Sequence, residues 1–566
     1  MEEGEEPENG LRCLHDFLKN PFSDPGAGLA HLFTFLWWAY RCHCRLHDST
    51  GTARPSIQGA LRTDGRAPSV REYLGNRCAR LPRIVTAPNP SLVSTEPPLV
   101  VDLDGTLTRT DTLYESFLLL LKHNPLLALL VPLWLLRGKA HLKAELARRV
   151  LPDAAQLPYD EGLLTFLRAE HARGRRLLLI TAADRRIADA VAAHLGLFES
   201  VHASEGSVNL RGERKLARVQ EAVGPHFHYA GNEADDLVLW RACAGVLVVN
   251  APPAVLRAAQ ALPCPPLQVF AGPRASLRTW LKAVRVHQWA KNLLLFVPLF
   301  ASHRALDLAS LTHAALGFAA FSLCASSVYV LNDLLDLEAD RQHPTKKKRP
   351  FAAGLLPLKA GLVLAPLLLC AGFAIALLLL PRTFSLLLAS YYAVTLAYSL
   401  YLKQVMVLDV LVLAGLYTVR ILGGALAVGV PTSSWLFSFS MFLFLSLALV
   451  KRLSEVRRMR LSNQAVAHGR GYFAGDLEQL GQLGTSSGYL SVLVLALYIS
   501  SAEVRQLYTH PQRLWLLCPV LLYWVSRVWL LAHRGEVNED PLVFALKDKV
   551  SYAVGAVAAV ILLVAV

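Results

Sequence analysis

"VLNDLLDLEADRQHPTKKKRPFAAG", Val330 to Gly354, follows a long apolar run and decides how the second half of the chain is read. Its first half carries Asp333, Asp336, Glu338 and Asp340; then come Arg341, Lys346, Lys347, Lys348 and Arg349. In a continuous helix Asn332, Asp336 and Asp340 stand at i, i+4 and i+8 on one face, with Asp333 beside it. Carboxylates are costly in lipid, so they belong in a wet cavity or on an ion. Hard oxygen donors grouped this way suit magnesium bound to a diphosphate. The cations that follow, Arg341, Lys348 and Arg349 among them, can meet phosphate oxygens directly. The plainer alternative is a charged cytoplasmic loop, and the ordered N-D-x-x-D-x-x-x-D spacing favours a substrate site over it.

Outward from this stretch, apolar runs begin near Trp289, Leu311, Gly361, Phe384, Val407, Trp435, Tyr489, Leu514 and Tyr552. Each is long enough, or nearly so, for the roughly 20 residues that cross a bilayer, which predicts nine spans. "DRQHPTKKKRP" and "KRLSEVRRMRLSNQAVAHGR" are basic, whereas "GVPTSSW" and "PRTF" carry little charge. Basic short loops face the cytoplasm, so the active-site loops and the N-terminal part are expected there and the C-terminus outside. Of the 566 residues 54% are hydrophobic and only 18% charged, a balance that suggests a membrane part joined to a soluble part. The net charge of +14 then reports cytoplasmic loops on anionic lipid rather than nucleic-acid binding. Nine scattered cysteines outline no disulfide framework, and the acidic start "MEEGEEPENG" lacks the basic region of a signal peptide.

Three parts are expected: an irregular extension over 1–95, a soluble domain over 96–275 and a transmembrane domain over 276–566. In the extension, Leu29–Tyr40 is apolar but too short to span and reads as an interfacial helix at most. Cys42, Cys44 and His47 lack the second ligand pair of a zinc site. The soluble part alternates apolar strands, "PLVVDLDG", "RRLLLITAA", "HFHYAGN" and "AGVLVVNA", with helical patterns, the rhythm of a parallel sheet with crossover helices. The apolar insert "LYESFLLLLKHNPLLALLVPLWLLRGKAHLKAEL" is broken at Lys122–Pro125 and reads as a helical cap near the membrane surface.

"VVDLDGTLT" places Asp102 and Asp104 at the end of a buried strand, followed by Gly105 and Thr106. Carboxylates two residues apart suit a magnesium-assisted nucleophile with a neighbouring acid/base. The stretch resembles the first motif of the haloacid dehalogenase superfamily of phosphatases. Thr181 in "LLLITAADRR", Lys215 in "GERKLARV" and "YAGNEADD" look like its later motifs, in order. The resemblance implies a Rossmann-like α/β fold with a helical cap, Asp102 as nucleophile, Asp104 as general acid/base, and Mg2+ held by Asp102, Asp104 and Asp236. One departure stands out: the final motif usually opens with aspartate after its glycine, and here Asn232 does.

The N-D-x-x-D-x-x-x-D stretch resembles the motif of the UbiA superfamily of intramembrane prenyltransferases, an all-α bundle of about nine spans. "RVHQWAKNLLLFVPLFA", "YSLYLKQVMVLDVLVLAGLYTVRILGGALAV" and "LALVKRLSE" look like the branch containing decaprenyl-phosphate phosphoribosyltransferases. By that resemblance Asn332, Asp333, Asp336 and Asp340 hold a magnesium-bound diphosphate, and Tyr398 and Lys403 lie near the second cytoplasmic loop. Lys451, Arg452 and Glu455 stand where aromatic prenyltransferases carry a second aspartate-rich motif. Two cations with one acid suit a phosphate acceptor without its own metal. Arg285, Lys291 and Asn292 can also contact phosphate, or serve as topological anchors. Asp409 is an intramembrane acid, with Arg420 as its expected partner in the same span.

Three readings follow. The first is transfer of phosphoribose from phosphoribosyl pyrophosphate to a polyprenyl phosphate, with the fused domain removing the 5-phosphate of the product. The second is a prenyltransferase that uses a prenyl diphosphate and a small acceptor. The third is a non-catalytic scaffold or transporter. The implied location is a bacterial plasma membrane, and the oligomeric state stays open.

Overall fold

The computed structural model describes residues 96–566 apart from 207, 274, 462–470, 503, 505–507 and 538–540. The 1–95 extension, with Leu29–Tyr40 and the Cys42, Cys44 and His47 group, lies outside the described residues, as does the end of the second basic loop.

Short apolar runs form six parallel strands: β1 (Leu99–Val101), β2 (Leu177–Asp184), β3 (Ser200–Ser204), β4 (His228–Gly231), β5 (Gly245–Val249) and β6 (Gln268–Phe270). Their order is β3-β2-β1-β4-β5-β6, with Leu99 registered on Leu177 and His228. Because alternate side chains point to opposite faces, the runs are buried on both. Leu99, Val101, Leu177 and Leu179 enter one core with Leu163 and Leu167 of helix Glu161–Ala172 and with Ile187 and Val191 of helix Arg185–Leu195. Val100, Leu178, Tyr229 and Val248 enter the other, against Val219 and Trp240. The connectivity switches direction at β1, and in such sheets the crevice beyond the carboxyl ends of the strands holds the ligand.

The insert after β1 forms the expected helical cap. Asp111 accepts from the Leu113 amide at 2.9 Å and starts helix Thr112–His123, here the cap helix. Leu120, Trp134, Leu142 and Leu146 form a small core of its own. That core leaves Leu126, Leu129, Leu133 and Leu136 exposed, Leu136 at 84%.

Among the described residues seven helices are long and apolar enough to cross a membrane: Leu308–Leu335, Leu358–Leu379, Arg382–Leu400, Leu408–Val428, Ser434–Leu461, Ala474–Ser500 and Pro511–Arg534. The expected count was nine. The run near Trp289 instead folds as a 3₁₀ stretch, Val286–Phe296, and a short helix, Val297–Ala301, with Leu295 buried in the cluster of Phe321 and Leu416. The run near Tyr552 gives Lys549–Ala565, 17 residues. That is about 26 Å at 1.5 Å per residue, short of a hydrocarbon core of about 30 Å. The soluble and helical bodies touch through the cap helix, whose Leu118 is buried with Val330, Leu334 and Phe351.

Candidate functional site

The first centre lies at the carboxyl ends of β1, β2 and β4. Asp102 leaves β1 directly, and its Oδ1 accepts from Lys215 Nζ at 2.7 Å. Lys215 is buried on helix Glu213–Val223, 5.3 Å over the Tyr229 ring and 3.9 Å from Asp236. Asp104 accepts from the Thr112 amide at 2.8 Å, which ties the loop to the first residue of the cap helix. Thr181 is buried in β2, its Oγ1 accepting from the Ala183 amide at 3.1 Å.

Burial raises the Asp102 carboxyl, against the pull of Lys215. Burial, then the Asp111 charge, pushes Asp104 up to about 8. Burial works against the Lys215 charge, but the Asp102 and Asp236 carboxylates outweigh it and hold the ammonium above its ordinary value.

Asp236 is fully engaged: Oδ1 accepts from Tyr229 Oη at 2.7 Å, and Oδ2 accepts from the Asn232 and Glu233 amides at 2.8 and 2.9 Å. Asn232 instead approaches the β1 loop, its Oδ1 accepting from Thr106 Oγ1 at 3.1 Å. Gly105, at φ +74°, makes room for it, since a Cβ there would stand 2.1 Å from Asn232 Nδ2. Among the described residues no three His, Cys, Asp or Glu side chains gather as a ready-made cluster for a metal. Magnesium does not require one, because it keeps several waters and takes one or two carboxylates plus substrate phosphate. The Asp102 and Asp104 carboxyls, the first buried and the second half-buried, fit such an ion, with the Asn232 amide oxygen nearby.

The second centre is the mouth of the first span, Leu308–Leu335. The chain is not one continuous helix here. Asp336, at φ −104° and ψ 20°, separates the span from the helix Leu337–Gln342, which corrects the single-face expectation. The i to i−4 amide bonds survive, Asp336 to Asn332 at 3.0 Å and Asp340 to Asp336 at 2.8 Å, so the break is a bend. Asp333 and Asp340, 1% and 2% exposed, share the Arg349 guanidinium at 3.0 and 2.6 Å, and Arg285 also pairs with Asp333. Asp336 points elsewhere, to Lys122 of the cap helix, its Oδ1 3.4 Å from Nζ. Asn332 donates to Ser399 Oγ at 3.0 Å, next to Tyr398. These hard oxygens also fit magnesium, one or two of them completing a shell with diphosphate oxygens and water.

Arg341 is withdrawn from this group. It donates to the Ala352 carbonyl at 3.0 Å and to Glu115 of the cap helix at 2.5 and 3.2 Å. Lys348 is exposed on the turn Lys346–Lys348. Lys291 lies 5.6 Å over the Tyr417 ring. Asn292 is buried between Ser322, to which it donates at 2.9 Å, and Arg420, from which it accepts at 2.8 Å. Asp409 does not pair with Arg420. Eleven positions apart on one helix, the two are separated by about 16 Å of rise. Asp409 instead accepts from Tyr472 Oη at 2.6 Å and pairs with Arg452 at 2.6 Å, and Arg452 also pairs with Glu455. Lys451 and Lys403 are half-buried, Lys403 on the turn Leu402–Gln404. The structure thus brings Asp333, Asp340, Arg285 and Arg349 to one place and Arg452, Glu455 and Asp409 to another, with Asn332 turned to Ser399 and Asp336 to Lys122. Lys122, Glu115 and Tyr472 had no sequence signal, being 63 to 226 positions from their partners.

Residues 293–546 match the UbiA prenyltransferase family and residues 99–239 the haloacid dehalogenase-like hydrolases. An uncharacterized protein, y4nM, of Sinorhizobium fredii is 40% identical over 467 residues, 82% of this chain and 90% of that one. The chain belongs to the UbiA prenyltransferase family. It carries a haloacid dehalogenase-like hydrolase domain beside its transferase domain, and it is a membrane enzyme. A decaprenyl-phosphate phosphoribosyltransferase of Mycolicibacterium smegmatis is 40% identical over 195 residues, 34% of this chain and 61% of that one. A UbiA homolog from Archaeoglobus fulgidus bound to DMAPP and Mg2+ aligns at 16% identity and a TM-score of 0.39, over 50% of this chain and 96% of that one.

Proposed function

We propose that the transferase domain moves phosphoribose from phosphoribosyl pyrophosphate to a polyprenyl phosphate, with Mg2+, on the cytoplasmic face of a bacterial plasma membrane. The observation that carries the reading is the meeting of Asp333, Asp340, Arg285 and Arg349 at the mouth of an apolar span, an acid and cation cluster suited to a magnesium diphosphate. The likeness to the mycobacterial phosphoribosyltransferase supports the donor, and the cations Lys451 and Arg452 support a phosphate acceptor. In the reaction the bond from the anomeric carbon to pyrophosphate breaks as a lipid phosphate oxygen forms a bond to that carbon. Magnesium supplies charge neutralisation for the departing pyrophosphate. Arg285 and Arg349 stabilise the same developing charge, and the lipid phosphate, already an anion, requires no strong base.

The hydrolase domain then removes the 5-phosphate of the lipid-linked product. Asp102 attacks phosphorus while Lys215 neutralises phosphoryl charge. Asp104, the general acid/base of this reading, gives a proton to the leaving sugar oxygen as the phosphorus–oxygen bond breaks, and then takes one from the water that hydrolyses the aspartyl phosphate and releases phosphate. Purified full-length protein, incubated with magnesium, phosphoribosyl pyrophosphate and polyprenyl phosphate, tests both steps when the lipid is followed by mass spectrometry. A phosphoribosyl lipid in Asp102→Asn and its dephosphorylated form in the wild type are expected. Consumption of a prenyl diphosphate instead overturns the donor, persistence of the phosphorylated lipid in the wild type overturns the hydrolase step, and full transfer by Asp340→Asn overturns the diphosphate site.

A further inference from the structure

One helix of the hydrolase domain reaches both centres. Thr112, its first residue, donates its amide to Asp104, and Lys122, near its last, approaches Asp336. Ten residues of rise separate these ends by about 15 Å. The seat of this helix is fixed by buried contacts. Glu115 is buried, accepts from Thr110 Oγ1 at 2.8 Å and takes the guanidinium of Arg341. Leu118 is buried against Val330 and Leu334 of the first span. Gly354, at φ +65°, lets Arg109 of the hydrolase domain pack close, since a Cβ there would stand 2.8 Å from Arg109 Cβ. The position of Lys122 therefore follows from the docked interface and not from its own ion pair, which is half-exposed and contributes little to stability.

The charge distribution gives that position a use. Asp333 and Asp340 take their cations, Arg285 and Arg349, from the transferase domain itself. Arg341, the cation nearest in sequence to Asp340, is turned away to Glu115. At Asp336 the cation comes from the hydrolase domain. We propose that Lys122 is a diphosphate-binding residue of the transferase site, so that this site is complete only with the hydrolase domain docked. The inference rests on the reading of Asn332–Asp340 as the diphosphate site. A lysine suits the task, as a compact charge on a flexible stem that can follow a magnesium diphosphate into place.

The test is titration calorimetry of the full-length protein in detergent and magnesium with inorganic pyrophosphate, the leaving group shared by either donor. The wild type is expected to bind, Lys122→Ala to bind about tenfold more weakly, the scale of one charge-assisted contact, and Lys122→Arg to recover most of the loss. Melting temperatures within the scatter of the wild type certify the fold of each variant. Equal binding by Lys122→Ala and wild type overturns the role of Lys122 with the site reading intact. Lys122→Arg binding no better than Lys122→Ala overturns it as well. A wild type that binds no pyrophosphate overturns the site reading and this inference together.

Discussion

Lys215 and Asp102, 2.7 Å apart and both buried, form a charge pair whose arrangement follows directly from β1 and helix Glu213–Val223. Replacing Lys215 by Met leaves the phosphoryl group facing Asp102 without its cation. Phosphate release is expected to fall about 10²- to 10³-fold, the loss seen when one preorganised charge-stabilising donor is removed, as read by a colorimetric phosphate assay. The pair was legible because "VVDLDGTLT" and "GERKLARV" resemble successive motifs of the haloacid dehalogenase superfamily. Asp409 was legible only in part. Its burial in an apolar helix marked it, but its partner was sought on the same helix, where the rise per residue keeps the two apart; the true partner, Arg452, lies on the next span. Arg452→Leu takes a buried cation away from Asp409, which is itself fully buried. A loss of about 3–5 kcal/mol is expected, seen as a lower melting temperature in detergent, with Asp409→Leu in the same chain recovering most of it.

At the scale of an element, β4 carries a pH dependence. His228 Nδ1 lies 2.6 Å from Arg175, whose guanidinium also meets Glu170 and Glu96. Burial, then the Arg175 charge, holds the imidazole below its ordinary value of 6.5 while Glu96 and Glu170 oppose the shift. The unfolded chain therefore binds the proton more readily. Stability is full above about pH 6.5 and declines as pH falls toward the lower folded value. Protection factors of the β1 and β4 amides, corrected for the intrinsic exchange rate at each pH, are expected to fall between pH 7.5 and 5.5 in the wild type and to change less in His228→Gln. The strands themselves were legible, since two-sided burial leaves unbroken apolar runs. The bend at Asp336 was not: its i to i−4 amide bonds persist on both sides, so the sequence spacing reads as one helix while Asp333 and Asp336 face different partners.

For the whole molecule, the contact between its two bodies decides how far they act as one. Glu115 and Arg341 are each less than a tenth exposed in their side chains and are joined across that contact. Glu115→Ala strands a buried guanidinium, at a cost of about 3–5 kcal/mol, and is expected to speed hydrogen exchange throughout the cap helix. The exchanged pair Glu115→Arg with Arg341→Glu is expected to restore much of the protection. None of this was readable beforehand, because the partners lie 226 positions apart and each belongs to a motif that makes sense alone.

The bare leucines of the cap carry a consequence for how the protein can be handled. Cutting the hydrolase part free would uncover Leu118 in addition to Leu126, Leu129, Leu133 and Leu136, giving one greasy strip on an otherwise water-compatible sheet domain. Such a fragment would clump in plain buffer and stay dispersed only in surfactant. A hydrolase module of this design becomes an independent, freely dissolved enzyme only by first exchanging those leucines for polar residues.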